Sequence, residues 1–160
     1  MEREILFRGK RVDNGEWVYG FYNRCEARLT YTEEHYKNNP RSWIQTVENE
    51  GFAGQLVHVD TDTVGQYTGL IDKNGVKIYE GDILRFGKRN LMVWWNAESF
   101  QWQAKEVYGD DVITREHWLD NDWTNIDLGW IAAEIPCVGK MTTEIIGNKF
   151  DNPELMESGR

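Results

Sequence analysis

His58, Asp60 and Asp62 stand at alternate positions and are residue types from which a divalent metal site can be built. Alternate side chains of a strand point the same way, so one imidazole and two carboxylates would share a face. A metal-dependent hydrolase there is a minor alternative, because the same spacing describes a solvated strand end. A second acidic cluster, Asp120-Asn121-Asp122 with Asp127, is similar to a calcium loop, yet Asn125 stands where that loop needs Gly and Ile131 where it needs Glu. It reads as an acidic surface loop. Cys25 and Cys137 have no second cysteine nearby for a zinc knuckle or redox pair. Nothing in their spacing joins them to His35, His58 or His117 as nucleophile and base, so both read as free thiols. Ser42, Ser99 and Ser158 are the only serines, and none lies in a GxSxG elbow. The Gly-rich phosphate loops of P-loop and Rossmann proteins are absent from the sequence. No cofactor, no metal and no catalytic residue is expected.

Binding chemistry is the other possibility. Trp94, Trp95 and Trp102 could stack bases, as single-strand platforms do, but bulky aromatics at strand spacing more often fill a core. Arg85, Lys88 and Arg89, with Lys73 and Lys77 on neighbouring hairpins, form the one basic cluster suited to phosphate. Its plain reading is a charged hairpin rim. The 160 residues carry 18 Lys+Arg against 27 Asp+Glu, a formal charge of −9. Residues 91–160 hold five of those basic and thirteen of those acidic side chains, so the C-terminal part repels phosphate backbones. That acidity also permits a DNA-mimicking role. Eight Trp, seven Tyr and six Phe supply core volume without need of disulfide or metal. Uncharged and mostly apolar runs such as Leu128–Ala133 are far short of the roughly 20 residues a spanning helix needs. Met1-Glu2-Arg3-Glu4 has no apolar stretch behind it, so neither membrane insertion nor a secretory signal is expected and the cytoplasm is the expected location.

The elements that would position these groups are short strands. Glu4–Arg8 and Glu16–Tyr22 flank the turn Asp13-Asn14-Gly15 as a hairpin. Trp17, Tyr19 and Phe21 alternate with Val18, Gly20 and Tyr22, which predicts an aromatic face turned to the core. Strands are expected over Ala27–Thr32, Ser42–Thr46 and Leu56–Val59. Thr63–Ile71 and Val76–Tyr79 flank Asp72-Lys73-Asn74-Gly75 as a second hairpin. A third joins Ile83–Phe86 to Leu91–Trp95, followed by Ser99–Gln103. Residues 106–136 resist assignment beyond a short helix near Thr114–Leu119 and a strand or helical turn at Ile131–Glu134. Val138–Asn148 reads as a last strand. Asn152 as cap and Pro153 at the first helical position then start a short helix. The expectation is a mainly β protein: a small barrel or curved antiparallel sheet of short hairpins, SH3-like or OB-like closure included, with one or two short helices. It is expected to be a single domain, with a β-barrel part over about 1–103 and an acidic part over about 104–160.

The central run Thr63-Val64-Gly65-Gln66-Tyr67-Thr68-Gly69-Leu70, then Asp72-Lys73-Asn74-Gly75, then Ile78-Tyr79-Glu80-Gly81-Asp82-Ile83, closely resembles the signature of the YopX family of phage and prophage proteins. Arg3–Gly9, Gly15–Gly20, Glu144–Asn148 and Asp151–Leu155 follow in the family's order, while residues 23–55 and 104–142 match nothing that can be anchored. The resemblance implies a mainly β, phage-encoded, self-associating protein and carries over no catalytic residue. Gly65, Gly69, Gly75 and Gly81 are explained by turn or bulge geometry. Gln66, Tyr67, Lys73, Tyr79, Glu80 and Asp82 are not required by a turn. They build either a shared hydrogen-bonded corner or a binding surface, to which Arg85, Lys88, Arg89 and Trp94 would add. The leading expectation is a non-enzymatic, homo-oligomeric β module that binds a host or phage protein. The alternative is a nucleic-acid-binding barrel using the Arg85/Lys88/Arg89 hairpin.

Overall fold

A computed structural model describes residues 4–24, 42–47, 53–86, 89–107, 125–127 and 143–157. The strands among them are β1 (Phe7–Lys10), β2 (Trp17–Arg24), β3 (Ser42–Val47), β4 (Ala53–Val59), β5 (Gly65–Ile71), β6 (Lys77–Tyr79), β7 (Asp82–Phe86), β8 (Arg89–Asn96), β9 (Gln101–Glu106), β10 (Asn125–Asp127) and β11 (Glu144–Asn148). A 3-10 turn, Thr61–Thr63, precedes β5, and one α-helix, α1 (Glu154–Glu157), follows β11. Hydrogen bonding orders the strands β4-β3-β2-β1-β5-β6 in one antiparallel sheet and β10-β9-β8-β7-β11 in the other. The mainly β class expected from the short hairpins is the class found. By contacts the chain divides into two compact units, Met1–Tyr67 and Thr68–Arg160.

In the first unit the Asp13-Asn14-Gly15 turn joins β1 to β2, with Gly15 at φ +73° and its N–H donating to the Arg11 carbonyl at 3.0 Å. The four strands β1–β4 pair successively, and the sheet curls until its two ends meet. Arg11, just past β1, bridges Val59 at the end of β4. The Val12 N–H donates to the His58 carbonyl at 3.2 Å, and the Asp60 N–H to the Lys10 carbonyl at 2.8 Å. The closure stops at that bridge. Among the described residues the sheet is curved rather than closed into a barrel.

Curvature also decides which face of β2 is inside. The aromatic face was expected to meet the core, yet Tyr19 and Phe21 are 48% and 52% exposed, while Gly20 between them is buried. The concave side is packed tightly by Ile44 and Val59, both fully buried. A Cβ on Gly9, opposite Val18, would lie 3.1 Å from Val59 Cβ and 3.3 Å from Ile44 Cδ1. Small residues fit there, and most of the large rings turn outward. Tyr22 is the exception: its ring packs 5.4 Å from Phe7 and its hydroxyl bonds Ser42 Oγ at 3.0 Å.

In the second unit Ile78, Leu84, Leu91, Val93 and Ala104 form the core, with Leu70, Phe86, Trp102 and Ile145 packed against it. Strict alternation supplies it: Leu91, Val93 and Trp95 of β8 share one face, and their partners across β9 include Ala104 and Trp102. The Asp72–Gly75 turn is the expected one, with Gly75 at φ +82° and its N–H donating to the Asp72 carbonyl at 3.0 Å. β11 covers the C-terminal part of the strand expected over Val138–Asn148, and α1 begins just after Asn152-Pro153, as the sequence suggests. The Asn152 carboxamide oxygen nevertheless accepts from the Asn148 N–H at 3.4 Å. The elements expected at Ala27–Thr32, Thr114–Leu119 and Ile131–Glu134 lie outside the described residues, as does the start of the strand expected from Val138.

Candidate functional site

Two groups of residues stand out, one in each unit. In the second unit the tight turns carry a polar framework centred on Asp72 and Asp82. Asp72 Oδ1 accepts from the N–H groups of Asn74 and Val76 at 2.8 and 2.9 Å. Its Oδ2 accepts from the Ile145 N–H of β11 at 3.2 Å, so one carboxylate caps its own turn and ties it to another strand. Burial works against its charge, but the N–H groups of Val76, Ile145 and Asn74 outweigh that penalty and hold the carboxyl below its ordinary value. The neighbouring Lys73 forms an ion pair with Glu144 at 2.5 Å and donates its N–H to the Thr143 carbonyl at 3.0 Å. Glu144 is lowered by its hydrogen bond to Lys73 and then by the Lys73 charge.

Asp82 is 1% exposed, and its Oδ2 accepts from the Tyr79 N–H at 2.7 Å. The Gly81 N–H donates to the Val93 carbonyl, and the Lys149 N–H to the Gly81 carbonyl, both at 2.9 Å. Tyr79 is buried and Glu80 half-buried at the same turn. In the first unit Gln66 lies opposite Phe7 in the β1–β5 register, and the Tyr67 N–H donates to the Leu6 carbonyl at 2.8 Å. In the sequence Asp72 reads only as a turn former. Its bond to Ile145 joins residues 73 positions apart, for which the sequence offers no signal.

The basic cluster is less open than its sequence implies. Arg85 is exposed and stands opposite Glu144 of β11 in the strand register, while the Glu144 carboxylate holds Lys73. Arg89 stands opposite Phe86 at the start of β8. Lys88 lies outside the described residues. The three tryptophans divide between the faces. Trp95 and Trp102 are cross-strand partners with ring centroids 5.0 Å apart, and Trp94 points the other way, with Lys105 Nζ 5.5 Å from its ring.

His58, Asp60 and Asp62 do not assemble. The His58 ring stacks on Trp43 at 4.8 Å, and Asp60 Oδ1 caps the 3-10 turn by accepting from the Asp62 N–H at 3.1 Å. No cluster of three or more His, Cys, Asp or Glu suited to a metal occurs among the described residues. Cys25, Cys137, His35, His117 and Asp120–Asp122 lie outside them. Among the described residues no helix is long and apolar enough to cross a membrane.

The first unit carries the group that sequence reasoning missed, on the convex face of its sheet. Tyr19, Phe21 and Leu56 are exposed there, Leu56 by 56%. Trp43 and His58 pack together on the same face, as the register Phe21↔Gln45, Trp43↔His58 and Gln45↔Leu56 requires. Arg8 is buried on that face at the β1 side, its guanidinium 4.7 Å over the Trp17 ring. Beside β4 a cleft of about 300 Å³ is lined by residues 11–13 and 55–58. Arg11 and Asp13 neutralise each other at its mouth, with two hydrogen bonds of 2.8 and 2.6 Å.

Antiparallel hairpins joined by polar turns define a mainly β protein. A family model described as YopX protein matches residues 6–157, and the chain belongs to the YopX family. Among solved structures it is similar to protein EF1440 from Enterococcus faecalis, at 21% identity over 98% of this chain and 100% of that one, with a TM-score of 0.46. Curated proteins provide no match.

Proposed function

We propose that this protein is a non-catalytic β module, encoded by a phage or prophage and acting in the cytoplasm of the host cell, that self-associates and engages a protein partner. The observation that carries this reading is the exposure of Tyr19 and Phe21 on the convex face of β2. Large aromatic side chains exposed side by side on a sheet face mark an interaction surface, because water gains when they are covered. Aromatic residues are also the side chains that dominate protein interfaces. The phage setting rests on the family signature.

The test has two parts. Light scattering at micromolar concentration is expected to give a mass above 18.8 kDa, falling when Tyr19 and Phe21 are both changed to Ser. A photo-crosslinking amino acid at position 21 is expected to yield a discrete adduct with protein in host extract. A monomer that forms no adduct would overturn the reading.

A further inference from the structure

We infer that the outer edge of β4 is a strand-addition site, which takes an extended, uncharged peptide segment of the protein partner into the cleft between β4 and the Arg11–Asp13 turn. This rests on the reading of the protein as a binding module and specifies how the partner is held.

Hydrogen-bond alternation along β4 leads to the assignment. In an antiparallel ladder the main-chain groups of successive residues point to opposite sides. The His58 carbonyl accepts from Val12, so the main-chain groups of His58 face away from β3, and those of Leu56, two residues earlier, face the same way. The strand beyond Arg11 then turns away through Asp13-Asn14-Gly15. Among the described residues nothing bonds the outward N–H of His58 or the outward N–H and C=O of Leu56. The cleft lies where the two backbones diverge, the position another strand would occupy.

The lining selects the occupant. A ladder of N–H and C=O groups is satisfied by another extended main chain and not by a sugar-phosphate backbone. The ion pair at the mouth, Arg11 with Asp13, is internally neutral, and residues 54–59 carry no carboxylate, Lys or Arg. In a chain of net charge −9 this patch neither attracts nor repels a neutral segment. Val12 and Leu56, 58% and 56% exposed, flank the slot and favour apolar side chains at alternate positions of the incoming segment. Edge strands left open in this way are where chains add.

Leu56→Pro tests the inference. It removes the outward N–H while leaving the bonds to β3 in place, a position where an edge strand tolerates Pro. The probe is a library of short random peptides selected on the purified full chain, with the enriched sequences made as fluorescent peptides. Enriched sequences are expected to be uncharged with alternating apolar residues, and their affinity is expected to fall about tenfold or more on Leu56→Pro. N-methylation of the peptide at alternate amides is expected to abolish binding in one register and spare it in the other. This second measurement leaves the protein unaltered and decides the matter even if Leu56→Pro misfolds. Failure to enrich any peptide, or equal binding of both N-methylated forms, would sink the proposal. So would self-association lost on Leu56→Pro without peptide binding, which would make the occupant a second copy, or saturable binding of a dT oligonucleotide lost on the same substitution. If adducts from position 21 persist in Leu56→Pro, the binding-module reading stands and strand addition alone falls.

Discussion

Asp72 joins sequence-local and long-range structure through a single carboxylate. Its folded-state pKa is depressed, so the stability it contributes is complete above the unfolded carboxylate value, about 3.9, and is lost as pH falls through the folded value. Asp72→Asn is expected to cost about 1–3 kcal/mol at neutral pH, since a donor replaces an acceptor facing N–H groups. It should also reduce the loss of stability below about pH 4. Urea unfolding of both proteins at pH 7 and pH 3 checks this, and an equal deficit at the two pH values would count against it. Asp82→Ala should likewise destabilise the fold by about 1–3 kcal/mol, because it strips the partner from the buried Tyr79 N–H. Unchanged melting with lost partner binding would make the turn a binding surface instead of a structural corner. The turn residues were legible in the sequence because Asp-Lys-Asn-Gly has its own local chemistry. The bond from Asp72 to Ile145 was not, since no local rule encodes a contact 73 positions away.

At the scale of elements, β2 is the instructive case. Its period-2 alternation was readable, but a strand with two unlike faces does not state which one is concave. Gly20 carries the answer: a Cβ there would overlap the Gln45 carbonyl oxygen on β3. Because the obstacle is backbone, Gly20→Ala is expected to force β2 and β3 apart and destabilise the first unit by about 1–3 kcal/mol. Thermal unfolding followed by hydrogen exchange of β3 amides measures it, with exchange accelerated in β3 if the two strands separate. The tryptophans of β8 and β9 follow the same logic in the second unit. Trp94 and Trp95 are neighbours in sequence and oppose each other across the sheet, so a motif of adjacent aromatics does not make one platform.

For the molecule as a whole, charge constrains partners more firmly than any motif. A net charge of −9, and the ion pair of Lys73 with Glu144, leave little to attract a phosphate backbone. Fluorescence anisotropy of duplex DNA is expected to show no change on adding protein, even at low salt. Saturable binding that weakens steeply with salt would restore the Arg85/Lys88/Arg89 hairpin as a nucleic-acid site.

Local chemistry determined much of this protein from the sequence by itself: the mainly β class, most of the hairpin positions, the turns and the family signature. Each of these depends on residues close together in the chain, where propensity, alternation and turn geometry act directly. The tertiary structure alone decided the direction in which the first sheet curls, the outward placement of Tyr19 and Phe21, the ending of closure at Arg11 and Val59, and the cleft beside Leu56. Those features arise from packing between distant segments, where Ile44 and Val59 fill the concave side against Gly9 and the rings of Phe7 and Tyr22 pack against each other on that same face.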